Sequence, residues 1–260
     1  MPTNHIIKVR YELSFKGESG LKCSASLGVS MRYLVFILLL TGMASAFAGG
    51  ASFSKSKRVL AKQVYADHQV SFYCGCDYSL KPKPGNASKK RLTPDWTSCG
   101  YKPRKQAKRA SRIEWEHVMP AHHFGQHMQC WRKGGRKACR KDPLFKQLES
   151  DMHNLVPAVG EVNGDRSNFR FGMIDGEKRA YGQCDVEINF KAKRAEPTPS
   201  VRGDIARIYF YMSDRYGVRL SKQQTQLMNA WARQDPIDAW ERERNQRIKR
   251  IQGNGNKYVH

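Results

Sequence analysis

Acidic residues are scarce in this chain. Asp and Glu total 23 against 46 Lys and Arg, a formal charge of +23 over 260 residues. Self-repulsion of that size opposes compaction, so the excess points to a polyanionic partner: nucleic acid, anionic lipid or acidic polysaccharide. A long apolar run is also missing. The longest candidate, Leu34 to Leu40, is too short to span a bilayer. Zinc signatures are lacking as well. No His-Glu-x-x-His occurs, and Cys74-Gly75-Cys76 has one intervening residue and no second matching pair. There is no internal repeat and no clear linker, which argues against an array or a string of domains. Hydrophobic residues are not scarce, at 40%, so the chain can bury a core.

The short apolar run has a use. Met31-Arg32 precedes it, and Ala46-Phe47-Ala48 follows with small residues at the cleavage-site spacing, with Ala44-Ser45-Ala46 as a second possible site. A positive start, a short apolar stretch and an A-x-A site form a secretory signal. Residues 31–48 are therefore read as a signal peptide and 49–260 as the functional domain. Residues 1–30 precede the signal and show no structural period, so they are read as a spurious extension with translation starting at Met31. Loss of 1–48 removes Lys8, Arg10, Lys16, Lys22 and Arg32 but only Glu12 and Glu18, so the basic excess stays with the domain.

Cys23 lies upstream of the signal. The remaining cysteines, Cys74, Cys76, Cys99, Cys130, Cys139 and Cys184, are even in number, and export would place them in an oxidising compartment. Three disulfides are expected. Cys130 and Cys139 bracket a basic, glycine-containing loop and should pair locally. Cys74 and Cys76 are too close to pair with one another, so they reach Cys99 and Cys184 in an order that spacing leaves open.

Residue patterns predict a helix over 53–66, a strand over 70–74, a loop over 80–95, a strand over 113–118, a helix over 144–154, a short strand over 155–157 and a short helix over 159–163 followed by a turn at 164–168. The C-terminal third is helical. Asp204 caps one helix, Ser221 with Gln224 forms a capping box for a second, Asp235-Pro236 ends that one, and a charged helix runs over 238–252 to Gly253 with Trp240, Ile248 and Ile251 as anchors. The whole reads as an α+β protein, a single mixed α/β domain with a helical C-terminal part. The cations of 100–111 (Lys102, Arg104, Lys105, Lys108, Arg109) form either a solvated face or a phosphate-contacting strip.

The stretch from Glu114 to His127 collects Glu114, Glu116, His117, His122, His123 and His127, with four of the chain's eight histidines. A carboxylate, a neutral imidazole and nearby cations suit phosphodiester hydrolysis, which needs a base for water and neutralisation of charge on phosphate. Glu116 and His117 are adjacent on a strand and face opposite ways unless the strand ends or bends there.

Here a resemblance becomes specific. Arg112-Ile113-Glu114-Trp115-Glu116-His117-Val118-Met119-Pro120-Ala121, Phe124-Gly125, Gln129-Cys130-Trp131, Gly134-Gly135-Arg136-Lys137, Asp151-Met152-His153-Asn154-Leu155 and Gly160-Glu161-Val162-Asn163-Gly164-Asp165-Arg166 together resemble the bacterial endonuclease I family. The likeness runs from about Phe53 to near the end. It implies a ββα-metal (His-Me finger) core with one Mg²⁺, for which Mn²⁺ or Ca²⁺ could substitute. His117 would be the general base, Glu116 and Asn163 the metal ligands, and Arg136 the phosphate contact. It also implies non-specific cleavage of DNA, with RNA as a further substrate, to 5′-phosphate ends. The expected protein is a periplasmic monomer, or one secreted to the medium, with no stable membrane association after signal cleavage.

The chain departs from the family pattern in places. Arg242 stands where the family carries the first cysteine of a C-terminal pair, and the sequence ends before the second. Gly253-Asn254-Gly255-Asn256 replaces a Gly-Asn-His-Asn stretch, and His122 replaces an aromatic residue. A tail that frays is the expectation. A basic module that coats nucleic acid without cutting would have no need of the Glu116, His117, Arg136 and Asn163 set. A membrane-active cationic protein would need a denser apolar stripe than 238–252 offers.

Overall fold

The computed structural model describes residues 52–176 and 178–260. The signal peptide and the upstream extension lie outside the described residues. Helix α1 (Phe53–Val59) is capped by the Ser52 hydroxyl, which accepts from Lys55 N, and runs on into a π-helical turn, Leu60–Val64. The predicted strand over 70–74 does not form. Only Val70 pairs, in an isolated bridge with Asp77. Gly75 takes φ +65°, and the cysteines on either side are tied to different partners, Cys74 to Cys184 and Cys76 to Cys99. Two crosslinks diverging from a reversed backbone leave no room for an extended run.

The predicted loop over 80–95 is instead an antiparallel hairpin, β1 (Tyr78–Lys83) and β2 (Asn86–Pro94). It stands in solvent on both faces over most of its length, so its sequence carries no apolar alternation to read. Its register shifts between Pro82 and Lys83, a bulge at a residue that has no N–H to give to a ladder.

After a single helical turn α2 (Ala107–Ala110), strand β3 (Ile113–His117) pairs antiparallel with β4 (Leu155–Val159), in the register Ile113↔Val159 to His117↔Leu155. Between them come α3 (Ala121–Gly125), α4 (Gln129–Cys139) and α5 (Pro143–Ser150). Asp142 caps α5 through Phe145 N. The chain then breaks at Asp151, whose side chain caps a 3₁₀ turn, Met152–Asn154, so the expected single helix over 144–154 is two pieces. Helix α6 (Gly160–Arg166) follows β4 directly. It continues through the start of the expected turn to Arg166, with Gly164 against the Arg109 guanidinium, where a Cβ would collide.

A small sheet then has the order β5-β7-β6, from β5 (Arg170–Phe171), β6 (Glu187–Asn189) and β7 (Arg194–Glu196), with β5 parallel and β6 antiparallel to β7. Three helices finish the chain: α7 (Arg202–Tyr216), α8 (Lys222–Gln234) and α9 (Ala239–Gln252). Ser221 caps α8 as read, Asp238 caps α9 one residue before the helix begins, and Gly253 ends α9 in the left-handed conformation. Asp204 is not a cap. It lies in the first turn of α7, and Asp235 instead accepts from Gly203 N.

The β3–β4 pair is the axis of the molecule. On one side Trp115 and Leu155 join Leu60, Val64, Tyr65, Met152 and Ile248, locking α1 and α9 together, with Trp240 and Ile251 packed at the margin. On the other, Val118, Val156, Ala158 and Val162 join the main core under α7 and α8, with Tyr209, Met212, Met228 and Trp231. Among the described residues no helix is long and apolar enough to cross a membrane.

Candidate active site

The strand-face question at Glu116-His117 is resolved by where β3 stops. His117 is its last residue. Side chains of Glu114 and Glu116 point toward α6, those of Trp115 and His117 toward α1, and the strand end opens both sets into one cleft of about 650 Å³. Glu116, His117, Arg136 and Asn163 all line it, together with Glu114, Phe53, Arg109 and Arg112.

Glu116 is buried. Tyr73 Oη (3.2 Å) and Arg166 Nη1 (2.6 Å) both donate to its Oε1. Those bonds hold the carboxylate by one oxygen and leave Oε2 for the cleft. Burial pushes its pKa up, and the Arg166 guanidinium pulls the other way. Arg166 is itself 1% exposed and also donates to the carbonyls of His117 and Val118. It thus fixes the backbone on which the two site residues sit.

His117 is 7% exposed. Its Nε2 lies 2.8 Å from the Glu149 carbonyl oxygen. A carbonyl can only accept, so Nε2 carries the proton and Nδ1 keeps its lone pair. Burial, with Arg136 and Arg166 nearby, lowers its pKa to about 3. The ring is therefore neutral at ordinary pH, the state a base requires. Phe53 packs on it at 4.7 Å between centroids.

Arg136 reaches the same cleft from α4. That segment is not the loop expected from the sequence but a helix broken at Gly134-Gly135, and Gly135 takes φ 59°, ψ −152°, which only glycine adopts without strain. The Cys130–Cys139 disulfide closes the two halves, as read. Arg136 Nε donates to Glu149 Oε1 at 2.6 Å, and its guanidinium lies 5.5 Å from the Phe53 ring centroid. Glu149 was not singled out in the sequence, yet it holds His117 by its carbonyl and Arg136 by its carboxylate. Nothing in its sequence setting, one acid on an ordinary helix, marks it.

Asn163, on α6, donates Nδ2 to Glu114 Oε2 at 3.0 Å. This orients its amide oxygen away from Glu114. Glu114 is neutralised in turn by Arg109 (2.8 Å) and Arg112 (2.6 Å). Helix α6 is anchored from below, because Glu161 accepts backbone N–H groups from Arg104, Lys105 and Gln106 and the Tyr101 hydroxyl. Of the 100–111 cations, Arg104 pairs with Asp165 and Arg109 with Glu114, so these two hold structure. Lys102, Lys105 and Lys108 stand exposed.

Among the described residues no three His, Cys, Asp or Glu side chains converge as a metal cage. The cleft offers a sparser set, one carboxylate oxygen of Glu116 and the amide oxygen of Asn163. Two hard oxygens with open space beside them suit Mg²⁺, which keeps most of its waters, and do not suit zinc.

A cationic cleft with a neutral, oriented imidazole and hard oxygen donors defines a phosphodiester hydrolase. The chain belongs to the Endonuclease I family, whose model matches residues 52–260, and it is an endonuclease. It is 52% identical over 209 residues to an extracellular deoxyribonuclease of Aeromonas hydrophila, covering 80% of this chain and 87% of that one. It is 51% identical to a periplasmic deoxyribonuclease of the same organism (80% and 85% covered). It is also 46% identical to Endonuclease-1 of Buchnera aphidicola subsp. Acyrthosiphon pisum (strain APS), with 78% of each chain covered. The two Aeromonas relatives are named for the exterior and the periplasm, and three disulfides fit a protein that works outside the cytoplasm.

Proposed function

We propose that the protein is a non-specific nuclease that hydrolyses DNA, and RNA as well, by a ββα-metal mechanism, with β3, β4 and α6 as the ββα unit. The observation that carries this reading is the tautomer of His117. Its Nε2–H is committed to the Glu149 carbonyl, so the basic Nδ1 is left for the cleft that Glu116, Asn163 and Arg136 share.

His117 Nδ1 takes a proton from a water as the water oxygen attacks phosphorus. The P–O3′ bond breaks, the 3′ oxygen leaves as an alkoxide that takes its proton from a solvent water to become the 3′-hydroxyl, and the phosphate stays on the 5′ side. Glu116 and Asn163 would hold one Mg²⁺, with Mn²⁺ or Ca²⁺ able to replace it, and when bound it neutralises charge on the phosphate and the departing oxygen. Arg136 donates to a phosphate oxygen with a geometry fixed by Glu149. The exposed Lys102, Lys105 and Lys108 attract the backbone without reading bases, which fits weak sequence preference. The reading includes a monomer of residues 49–260, exported to the periplasm or beyond after loss of the 31–48 signal, with no stable membrane association.

Supercoiled plasmid incubated with Mg²⁺ is expected to be nicked and linearised, and addition of a chelator is expected to stop it. Ends from the reaction should ligate without kinase treatment. Cleavage that continues in chelator, or ends that need a kinase, would contradict the mechanism.

A further inference from the structure

The β1–β2 hairpin is unexplained by the cleft. From Tyr78 to Pro94 it contains Lys81, Lys83, Lys89, Lys90 and Arg91 and no acidic residue. Its register makes Lys81 the direct partner of Arg91 and Leu80 the partner of Leu92. Side chains alternate along a strand, so Lys81, Lys89 and Arg91 share one face, with Lys83 beside them at the bulge, while Leu80, Pro82 and Leu92 share the other. Like charges directly opposite one another destabilise a strand pair. Here such a pair is crowded further by Lys89, and no hydrogen bond or ion pair holds Lys81, Lys83 or Lys89 among the described residues. A two-stranded ribbon exposed on both faces gains nothing in stability from this arrangement.

The cationic face also has a fixed direction. Arg91 Nη2 donates to Ser111 Oγ at 3.0 Å. Ser111 lies between Arg109 and Arg112, both of which line the cleft. The charged face of the hairpin is thus continuous with the cleft rim. From Arg91 to Gly85 at the turn, the ribbon extends about 20 Å at about 3.3 Å per residue, the length of roughly six base pairs of duplex. An anionic membrane would be met by cations and apolar side chains together. Here Lys90, the partner of Pro82, shares the face of exposed Leu80, while Lys81, Lys83, Lys89 and Arg91 form a face with no large apolar side chain to insert, which suits a phosphate backbone.

We propose that the hairpin is a second nucleic-acid contact, an arm that follows the phosphate backbone outward from the cleft and lengthens the bound stretch of duplex. The proposal rests on the nuclease reading for its substrate, but it concerns binding and is tested without cleavage. Binding of labelled duplexes of about 8 and about 24 base pairs, and of anionic vesicles, is measured in chelator over a range of salt. The proteins are the parent, Lys81→Gln/Lys83→Gln/Lys89→Gln, and Lys90→Gln on the opposite face. The triple variant should show a salt slope shallower by about 2 to 3 on the long duplex, at roughly 0.9 for each phosphate it no longer neutralises. It should bind the short duplex as the parent does, which also reports that it is folded. Lys90→Gln should change the slope by less than about 1. An unchanged slope on the long duplex, an equal weakening on both lengths, or a weakening seen only with the vesicles would overturn the arm. A parent that binds in chelator but does not cut plasmid with Mg²⁺ would overturn the nuclease reading and leave the arm standing.

Discussion

The stapled half of the chain and the unstapled tail are held by different physics. Between residues 74 and 184 three disulfides cross-link the body. Beyond residue 202 there are none, and the tail is held by hydrogen bonds within itself and to the body. Asn245 donates Nδ2 to the carbonyls of Asn256 and Val259 and accepts from Asn256 N. Asn256 in turn donates to the Arg207 carbonyl and is 3% exposed. Arg244, also buried, donates to Tyr65 Oη and to the carbonyls of Met152, His153 and Leu155, tying α9 to the start of β4. Arg242 donates to the His260 carbonyl at 3.3 Å on the surface. A buried amide and a buried guanidinium thus hold the tail without a covalent bond. Covalent closure acts mainly on the unfolded chain and hydrogen bonding on the folded one.

The two halves should therefore fail differently. Cys74→Ser/Cys184→Ser opens a closure of 110 residues and should cost about 4 to 5 kcal/mol, read as a lower midpoint in guanidinium unfolding. Arg244→Ala should cost about 3 to 4 kcal/mol, because it strands several buried carbonyls at once. A loss below about 1 kcal/mol would mean water replaces the guanidinium.

Acid should loosen the contact between the two halves at His153, which lies in the stapled half and bonds the tail. His153, 1% exposed, bonds the Asn254 carbonyl through Nε2, and burial lowers its pKa to about 4 despite the nearby Asp151, with Arg244 and Arg215 acting in the same sense as burial. A histidine whose folded pKa is depressed contributes its full stability above its unfolded pKa, near 6.5. That stability is lost as pH falls from there to about 4, up to roughly 3 kcal/mol. His153→Gln should show a shallower fall in melting temperature over that window, and an unchanged fall would assign the acid sensitivity elsewhere. The smallest effect belongs to Arg242→Ala, under about 0.5 kcal/mol, since its bond is exposed. A larger loss would make Arg242 a main tie of the tail.

The sequence showed the site better than its supports. Glu116, His117, Arg136 and Asn163 were readable because they sit in dense motifs, and the structure brings all of them to one cleft. Strand β3, its partner β4 and the C-terminal helices were readable from local patterns and caps. The hairpin was not, because a ribbon wet on both faces has no burial to imprint on its residues. Glu149, Tyr73 and Arg166 were not singled out as supports either, since each acts through one to three hydrogen bonds to residues distant in sequence. The disulfide order was open for the same reason: which of Cys74 and Cys76 faces Cys184 depends on how the Gly75 turn sits on the rest of the body.

The most direct test of the account is single-turnover DNA cleavage by His117→Ala with Mg²⁺, beside its DNA binding in chelator. General-base catalysis by His117 predicts a rate lower by about 10²-fold or more with binding unchanged. A rate within a few-fold of the parent would contradict it.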